Sequence, residues 1–327
     1  MRRSPLLVSI LAALAGCDGS VQDKGCFDVA SDTTACPAPE KVDKNKLYIP
    51  NKCGNFEFTD VNGPATLEVS QPQGGVEVTS CCYRVDVIDH TEGKCVIGRP
   101  YFENEVELCA PLRSIASLAS HAHASRAAAW ARAGAGEHAS VPAFARLTLQ
   151  LLALGAPTDL LRGAQQAALD ELGHAERCWA LAERFGAAPI SAGPFPFPRD
   201  VAVNVSLAEL AAAAVREGCL AETLGAHVAA VAAEQAPEPE IRAELSLIAR
   251  EEATHAVLSF RIVAWALREG GEAVATAVRA AFAAPWPRVD VEELALRSNV
   301  DVAELERAAA AGVAEIIRPA AQRLLAA

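Results

Sequence analysis

The chain is short of positive charge, short of aromatic residues and without a long apolar run, and each shortage closes off a class of function. Twenty-nine Lys and Arg stand against 41 Asp and Glu, for a formal net charge of -12. So acidic a protein has no excess of cations with which to displace the counterions of a nucleic acid, and nucleic acid is not an expected partner. No apolar stretch reaches the roughly 20 residues of a membrane-spanning helix, so no part of the chain is expected to cross a bilayer. The three tyrosines, Tyr48, Tyr83 and Tyr101, all fall in the first third of the sequence. Ten cysteines are present, yet none forms a Cys-x-x-Cys pair, and the adjacent Cys81 and Cys82 suit neither a zinc knuckle nor an iron–sulfur cluster.

The N-terminus carries Arg2 and Arg3, then an apolar run from Leu6 to Ala13, then Leu14-Ala-Gly-Cys17, the layout of a secretory signal. The "LAGC" stretch resembles the lipobox of bacterial lipoproteins. That resemblance covers residues 1–17 and implies a signal peptide over 1–16, with cleavage before Cys17 and a lipid on its thiol. The expected location is the bacterial cell envelope, with the mature chain held on a membrane by an N-terminal lipid. Asp18 implies inner-membrane retention in well-studied bacteria, but the rule transfers poorly between phyla and leaves inner or outer membrane open.

Composition divides the rest at about residue 112. Residues 17–112 are rich in Pro, Gly and Asn, contain short alternating runs such as Ala65-Thr-Leu-Glu-Val-Ser70, and read as a small module of strands and loops. Cysteines 26, 36, 53, 81, 82, 95 and 109 in this exported stretch predict a disulfide frame of three bonds with one cysteine left over. His90 reads as a loop residue.

Residues 113–327 change to Ala, Leu, Arg and Glu with helical periodicity, and no stretch alternates as a strand. Helices are expected at about 123–154, 159–185, 207–235 and 240–268, with shorter ones at 272–283 and 301–326. Gly155 with Pro157, Gly186 and Gly270-Gly271 supply the stops, and Ser206 with Glu209 makes a capping box. Short first and third connections and a long middle one describe a four-helix bundle with extra C-terminal helices.

Inside these apolar helices lie charged residues in a repeated pattern. "DELGH" in the second helix carries Glu171 and His174, and "EEATH" in the fourth carries Glu252 and His255. Glu and His three apart lie about 60° apart around a helix and can reach one interior point. The first helix adds Glu137, and the third adds Glu217 and Glu222. Four carboxylates in a dry core are prohibitive without compensation, and two divalent cations would cancel them. Mixed oxygen and imidazole ligands suit iron or manganese better than a closed zinc site.

Glu, Glu-x-x-His, Glu, Glu-x-x-His in that order, over residues 120–268, resembles the ferritin-like diiron carboxylate superfamily of rubrerythrins and diiron hydroxylases. The resemblance implies two iron ions, with manganese as the other candidate. It also implies that the acid before each ligand glutamate bonds the far ring nitrogen of the opposing histidine, Asp170 to His255 and Glu251 to His174. Glu217 and Glu222 are five apart, about 140° around an α-helix, and cannot equally face one centre. Glu137 and Glu171 are 34 residues apart, Glu217 and Glu252 are 35, and Glu222 and Glu252 are 30. That symmetry favours Glu217, while the second glutamate used by rubrerythrin-like relatives keeps Glu222 as ligand or support.

Other residues read more plainly. His138 points away from Glu137, His227 either supports the site near Glu222 or packs, and His121 and His123 open the first helix. Cys178, Cys219, Trp179 and Trp265 are core residues, and Pro142 removes one amide from the first helix. No tyrosine lies where a tyrosyl-radical enzyme needs one. The expected function is a membrane-tethered diiron protein using dioxygen or peroxide as an oxidase or oxygenase. Two alternatives are a protein that oxidises or holds iron without an organic substrate, and a structural or interaction lipoprotein.

Overall fold

The structure, a computed structural model, describes residues 21–29, 33–44, 47, 56–70, 78–89, 94–95, 101–103, 106–110, 112–114, 126–197, 201, 203–286 and 288–326. The signal segment with Cys17, and Cys53, His90, His121 and His123, lie outside them. The protein is mostly helical, with a small N-terminal β module bearing two disulfides. Contacts divide it into two units, residues 1–50 with 55–90, and residues 51–54 with 91–327.

In the first unit β1 (Val21–Val29), β2 (Phe56–Ser70) and β3 (Val78–Asp89) form an antiparallel sheet in the order β1-β3-β2. Side chains alternate between the faces of a strand, which accounts for the adjacent cysteines of the central strand. Cys82 bonds Cys26, its direct partner across the ladder, while Cys81 faces the other way and bonds Cys36 in the segment after β1. Cys81, Tyr83 and Val85 then line one small core with Phe58, Val61 and Leu47. The Tyr83 hydroxyl donates to the Pro37 carbonyl at 2.7 Å.

The segment after residue 90 belongs to the helical unit, so the division falls there and not at 112. Its strands are two or three residues long, too short to show alternation, and two of the three pairings are with distant partners. β4 (Lys94–Cys95) pairs with β9 (Arg288–Val289), β5 (Tyr101–Glu103) with β6 (Val106–Leu108), and β7 (Leu112–Ser114) with β8 (Ile190–Ala192). Cys109 is also disulfide-bonded. Tyr101 is buried, with Phe195 and Phe197 edge-on to its ring and the Arg146 guanidinium 4.2 Å from it.

α1 (Arg126–Ala153) and α2 (Thr158–Arg184) are joined by a turn in which Gly155 takes a φ of 69°. A long crossover containing β8 leads to the third helical arm. That arm is continuous: α3 (Leu207–Ala213), a π-helical segment (Ala214–Glu222) and α4 (Thr223–Gln235). The Ser206–Glu209 capping box opens it. α5 (Pro239–Ala283) returns along it and breaks at Gly271, whose φ of 58° and ψ of -144° suit glycine alone. α1 packs on α2, α5 packs on the third arm and on α2.

α6 (Val291–Ser298), α7 (Val302–Ala311), a second π segment (Gly312–Ile317) and α8 (Arg318–Ala326) complete the unit. α6 is pinned to α1 where Trp130 Nε1 and the Arg126 guanidinium donate to the Arg297 carbonyl and Arg132 pairs with Glu293 at 3.0 Å. One continuous apolar core runs through all these helices.

Candidate metal centre

Six of the residues read from the sequence converge in the middle of that core. Glu137, Glu171, His174, Glu222, Glu252 and His255 are each at most 2% exposed. They form two overlapping quartets, Glu137 with Glu171, His174 and Glu252, and Glu171 with Glu222, Glu252 and His255. Within each quartet one ligand atom from every member lies within 4.8 Å of the others.

Glu171 and Glu252 belong to both quartets, one oxygen to each side. Glu171 Oε2 is 3.7 Å from His174 Nδ1 and its Oε1 3.3 Å from His255 Nδ1. Glu252 Oε1 is 3.4 Å from His174 Nδ1 and its Oε2 3.6 Å from His255 Nδ1. Glu137 closes the first quartet and Glu222 the second.

The far ring nitrogens are held from outside. His174 Nε2 bonds Glu251 at 2.7 Å and His255 Nε2 bonds Asp170 at 3.1 Å, the two cross-helix pairs read from the sequence. Gln166 donates to the other Asp170 oxygen at 2.8 Å. With a cation bound, a carboxylate on Nε2 would hold the tautomer that turns the Nδ1 lone pair inward. The Phe144 ring stands edge-on to His255 at 5.3 Å.

Electrostatics show how heavily the cluster depends on compensation. Burial, with the Glu171 and Glu252 charges added, pushes the Glu137 carboxyl up to about 8 against the pull of His174. Burial and then Glu252 raise Glu222 well above the usual carboxylate range. Burial alone would raise Glu252, but Glu222 and the two imidazoles hold it well below that range. Burial would likewise lower both imidazoles, yet the carboxylates around each hold His174 and His255 far above the ordinary value. For Asp170 the bonds from His255 and Gln166 outweigh burial and lower it.

Glu217 is not part of either quartet, and the symmetry that favoured it fails. Residues on two antiparallel helices are level when equally far from their shared turn. Glu222 lies thirteen residues before the end of α4 at Gln235, and Glu252 lies thirteen after the start of α5 at Pro239. Glu217 sits five residues further back, about 7.5 Å along an α-helix, and is partly exposed. The π segment, with its i→i+5 bonding, ends at Glu222 and also breaks the regular α register on which the 140° separation rested.

His227 is in neither quartet. Five residues past Glu222 on a regular helix it is turned about 140° away, and its ring packs against Gly312 of the second π segment. His138 turns aside as expected, its ring 5.7 Å from that of Trp179. Burial pushes the Cys178 thiol up to about 12, which suits a core filler and not a thiolate.

The fold and this site define a class: a helical protein with a buried Glu/His cluster that could bind a metal, compatible with a diiron site. Comparisons with protein-family models, curated proteins and solved structures find no match to the chain. The sequence reading missed Phe144, whose ring stands against His255 and which no local pattern marks.

Proposed function

We propose that the helical unit is a ferritin-like four-helix bundle holding two iron ions, and that it oxidises a substrate with dioxygen or peroxide at the bacterial membrane. One observation carries this reading. Glu137 Oε2, both oxygens of Glu171, Glu222 and Glu252, and Nδ1 of His174 and His255 are buried without a hydrogen-bond partner among the described residues. A buried unpaired polar atom costs about 1–3 kcal/mol, more when charged, so a cluster of nine is explained by cations that the polypeptide does not supply.

The donor set fits. Glu137 and His174 would hold one ion and Glu222 and His255 the other, with Glu171 and Glu252 shared. Bound iron supplies reversible one-electron chemistry toward dioxygen or peroxide. The chain's own part is to orient and to exclude water. Glu251 and Asp170 hold the Nε2 protons of the two imidazoles, and the surrounding core, Phe144 included, keeps the carboxylates dry.

Burial favours a second reading, oxidation or storage of ferrous iron with no organic substrate. Side chains at most 2% exposed admit a metal ion and a diatomic molecule more readily than a large substrate. One experiment tests both. The mature chain is purified under reducing conditions, its iron counted, and its near-ultraviolet absorbance followed as oxygen is admitted. About two irons per chain with a new ligand-to-metal band supports the diiron reading, and turnover with ferrous iron alone supports the second. No metal in the wild type sinks both. The membrane tether is tested separately, since Cys17→Ser should move the protein out of the membrane fraction.

A further inference from the structure

One buried hydroxyl beside the cluster is used by nothing described so far. Ser259 is fully buried, and its Oγ has no hydrogen-bond partner among the described residues. It follows Glu252 and His255 along α5 at steps of three and four, so the three share one helix face. On the third arm Gly218 precedes Glu222 by four residues. The two helices press together there, and a Cβ built on Gly218 would lie 1.8 Å from Ser259 Oγ. Glycine at 218 therefore keeps the space that the hydroxyl occupies, about one turn along from where Glu222 and His255 meet.

A helical serine or threonine commonly satisfies its hydroxyl on the carbonyl four residues back. Ser140, Thr148 and Ser298 all do so in this protein. Ser259 does not. Leaving a hydroxyl buried and unpaired is unfavourable, and alanine would fill the position without that cost. Thr223 Oγ1 is also unpaired, but Thr223 directly follows Glu222 and projects about 100° away from it. The hydroxyl on the cluster's own face is that of Ser259, and the acceptor it lacks has to be small enough to enter a closed site.

We propose that Ser259 is the hydrogen-bond donor to a small anionic or oxygen ligand taken up beside Glu222 and His255. The inference rests on the reading of the cluster as an iron centre. It requires a ligand acceptor atom within hydrogen-bond reach of Ser259 Oγ, and no change of protonation at the cluster.

Azide is the probe. The full chain, loaded with iron and oxidised in air, is titrated with azide and followed by absorbance. Ser259→Ala is expected to weaken azide about tenfold, equivalent to about 1.4 kcal/mol. Ser259→Cys fills the space with a weak donor and is expected to match the alanine variant. Metal-free Ser259→Ala is expected to melt no lower than the wild type. Unchanged azide affinity in both variants overturns the proposal, as does wild-type affinity in the cysteine variant, which would assign the effect to packing. A metal-free alanine variant melting several degrees lower also overturns it, since the hydroxyl would then be bonded within the fold. A wild type that takes up no iron overturns the iron centre and this inference with it. A loaded wild type that binds azide independently of Ser259 overturns this inference alone.

Discussion

Replacing Glu137 with Gln separates a structural carboxylate from one kept for a metal. Glu137 is 1% exposed, and burial with its carboxylate neighbours pushes its carboxyl up to about 8 from an ordinary 4.5. The folded pKa is raised, so the folded chain holds a proton that the unfolded chain gives up. Stability is therefore lost as pH rises from about 4.5 and levels off above about 8. At pH 7 the deficit is about 3 kcal/mol, at 1.36 kcal/mol per pKa unit.

Gln removes that deficit, but its buried amide needs partners and takes back about 1–2 kcal/mol. The metal-free Gln variant is thus expected to be more stable than the wild type by about 1–2 kcal/mol at pH 7, or roughly 2–8 °C in melting temperature for a unit of this size. At pH 4.5, where the deficit is nearly gone and the amide cost remains, the variant should be less stable than the wild type by about 1 kcal/mol. With iron present the order should reverse, because the wild type gains more from binding. The assay is calorimetry with chelator at both pH values and again after iron loading. A metal-free Gln variant that melts below the wild type at pH 7, or a difference that does not change with pH, would refute the reasoning.

Three further outcomes follow from the same geometry. Glu222→Gln should lower iron affinity at least tenfold, whereas Glu217→Gln should leave it within about twofold, as read by competition with a chelator; equal effects would contradict the placement of Glu222. Asp170→Asn and Glu251→Gln should each cost roughly 10- to 100-fold in iron affinity by loosening one imidazole, and an unchanged iron titration in both would show the hydrogen bonds to be incidental. Iron uptake at pH 7 should release protons from His174, His255 and Glu137, since ligands must be deprotonated to bind. Release in weakly buffered solution should fall as the starting pH is raised, and uptake with no release would mean that these groups are not the ligands.

What the sequence shows clearly here is what depends on neighbours within one turn. The Ser206–Glu209 capping box, the Gly155 turn and the Gly271 break stand where residue chemistry alone puts them. The two Glu-x-x-His pairs are legible for the same reason, because three residues on a helix define a face. Legibility failed where position depends on something far along the chain. Counting between motifs favours Glu217, whereas the count that sets Glu222 level with Glu252 runs from the turn at residues 236–238, and no local signal announces the π segment. The pairing of β7 with β8 joins residues about 78 apart in sequence, so composition near 112 could not show that this segment belongs with the helices. The disulfide partners of Cys81 and Cys82 likewise follow from the register of β3 against β1, which no spacing rule provides.

The protonation pattern explains how one fold can carry this cluster both with and without metal. Four carboxylates sit at the centre, and burial forbids leaving their charge uncompensated. In the metal-free chain His174 and His255 are held protonated by the carboxylates around them, while Glu137 and Glu222 are pushed toward their neutral forms. Protons on these groups and bound cations offset the same buried negative charge. Cation binding therefore displaces protons from the core. Asp170 and Glu251 stand outside the exchange, each keeping its bond to an imidazole Nε2. That arrangement turns both histidines inward before a cation arrives, so binding replaces protons without having to reorient the rings.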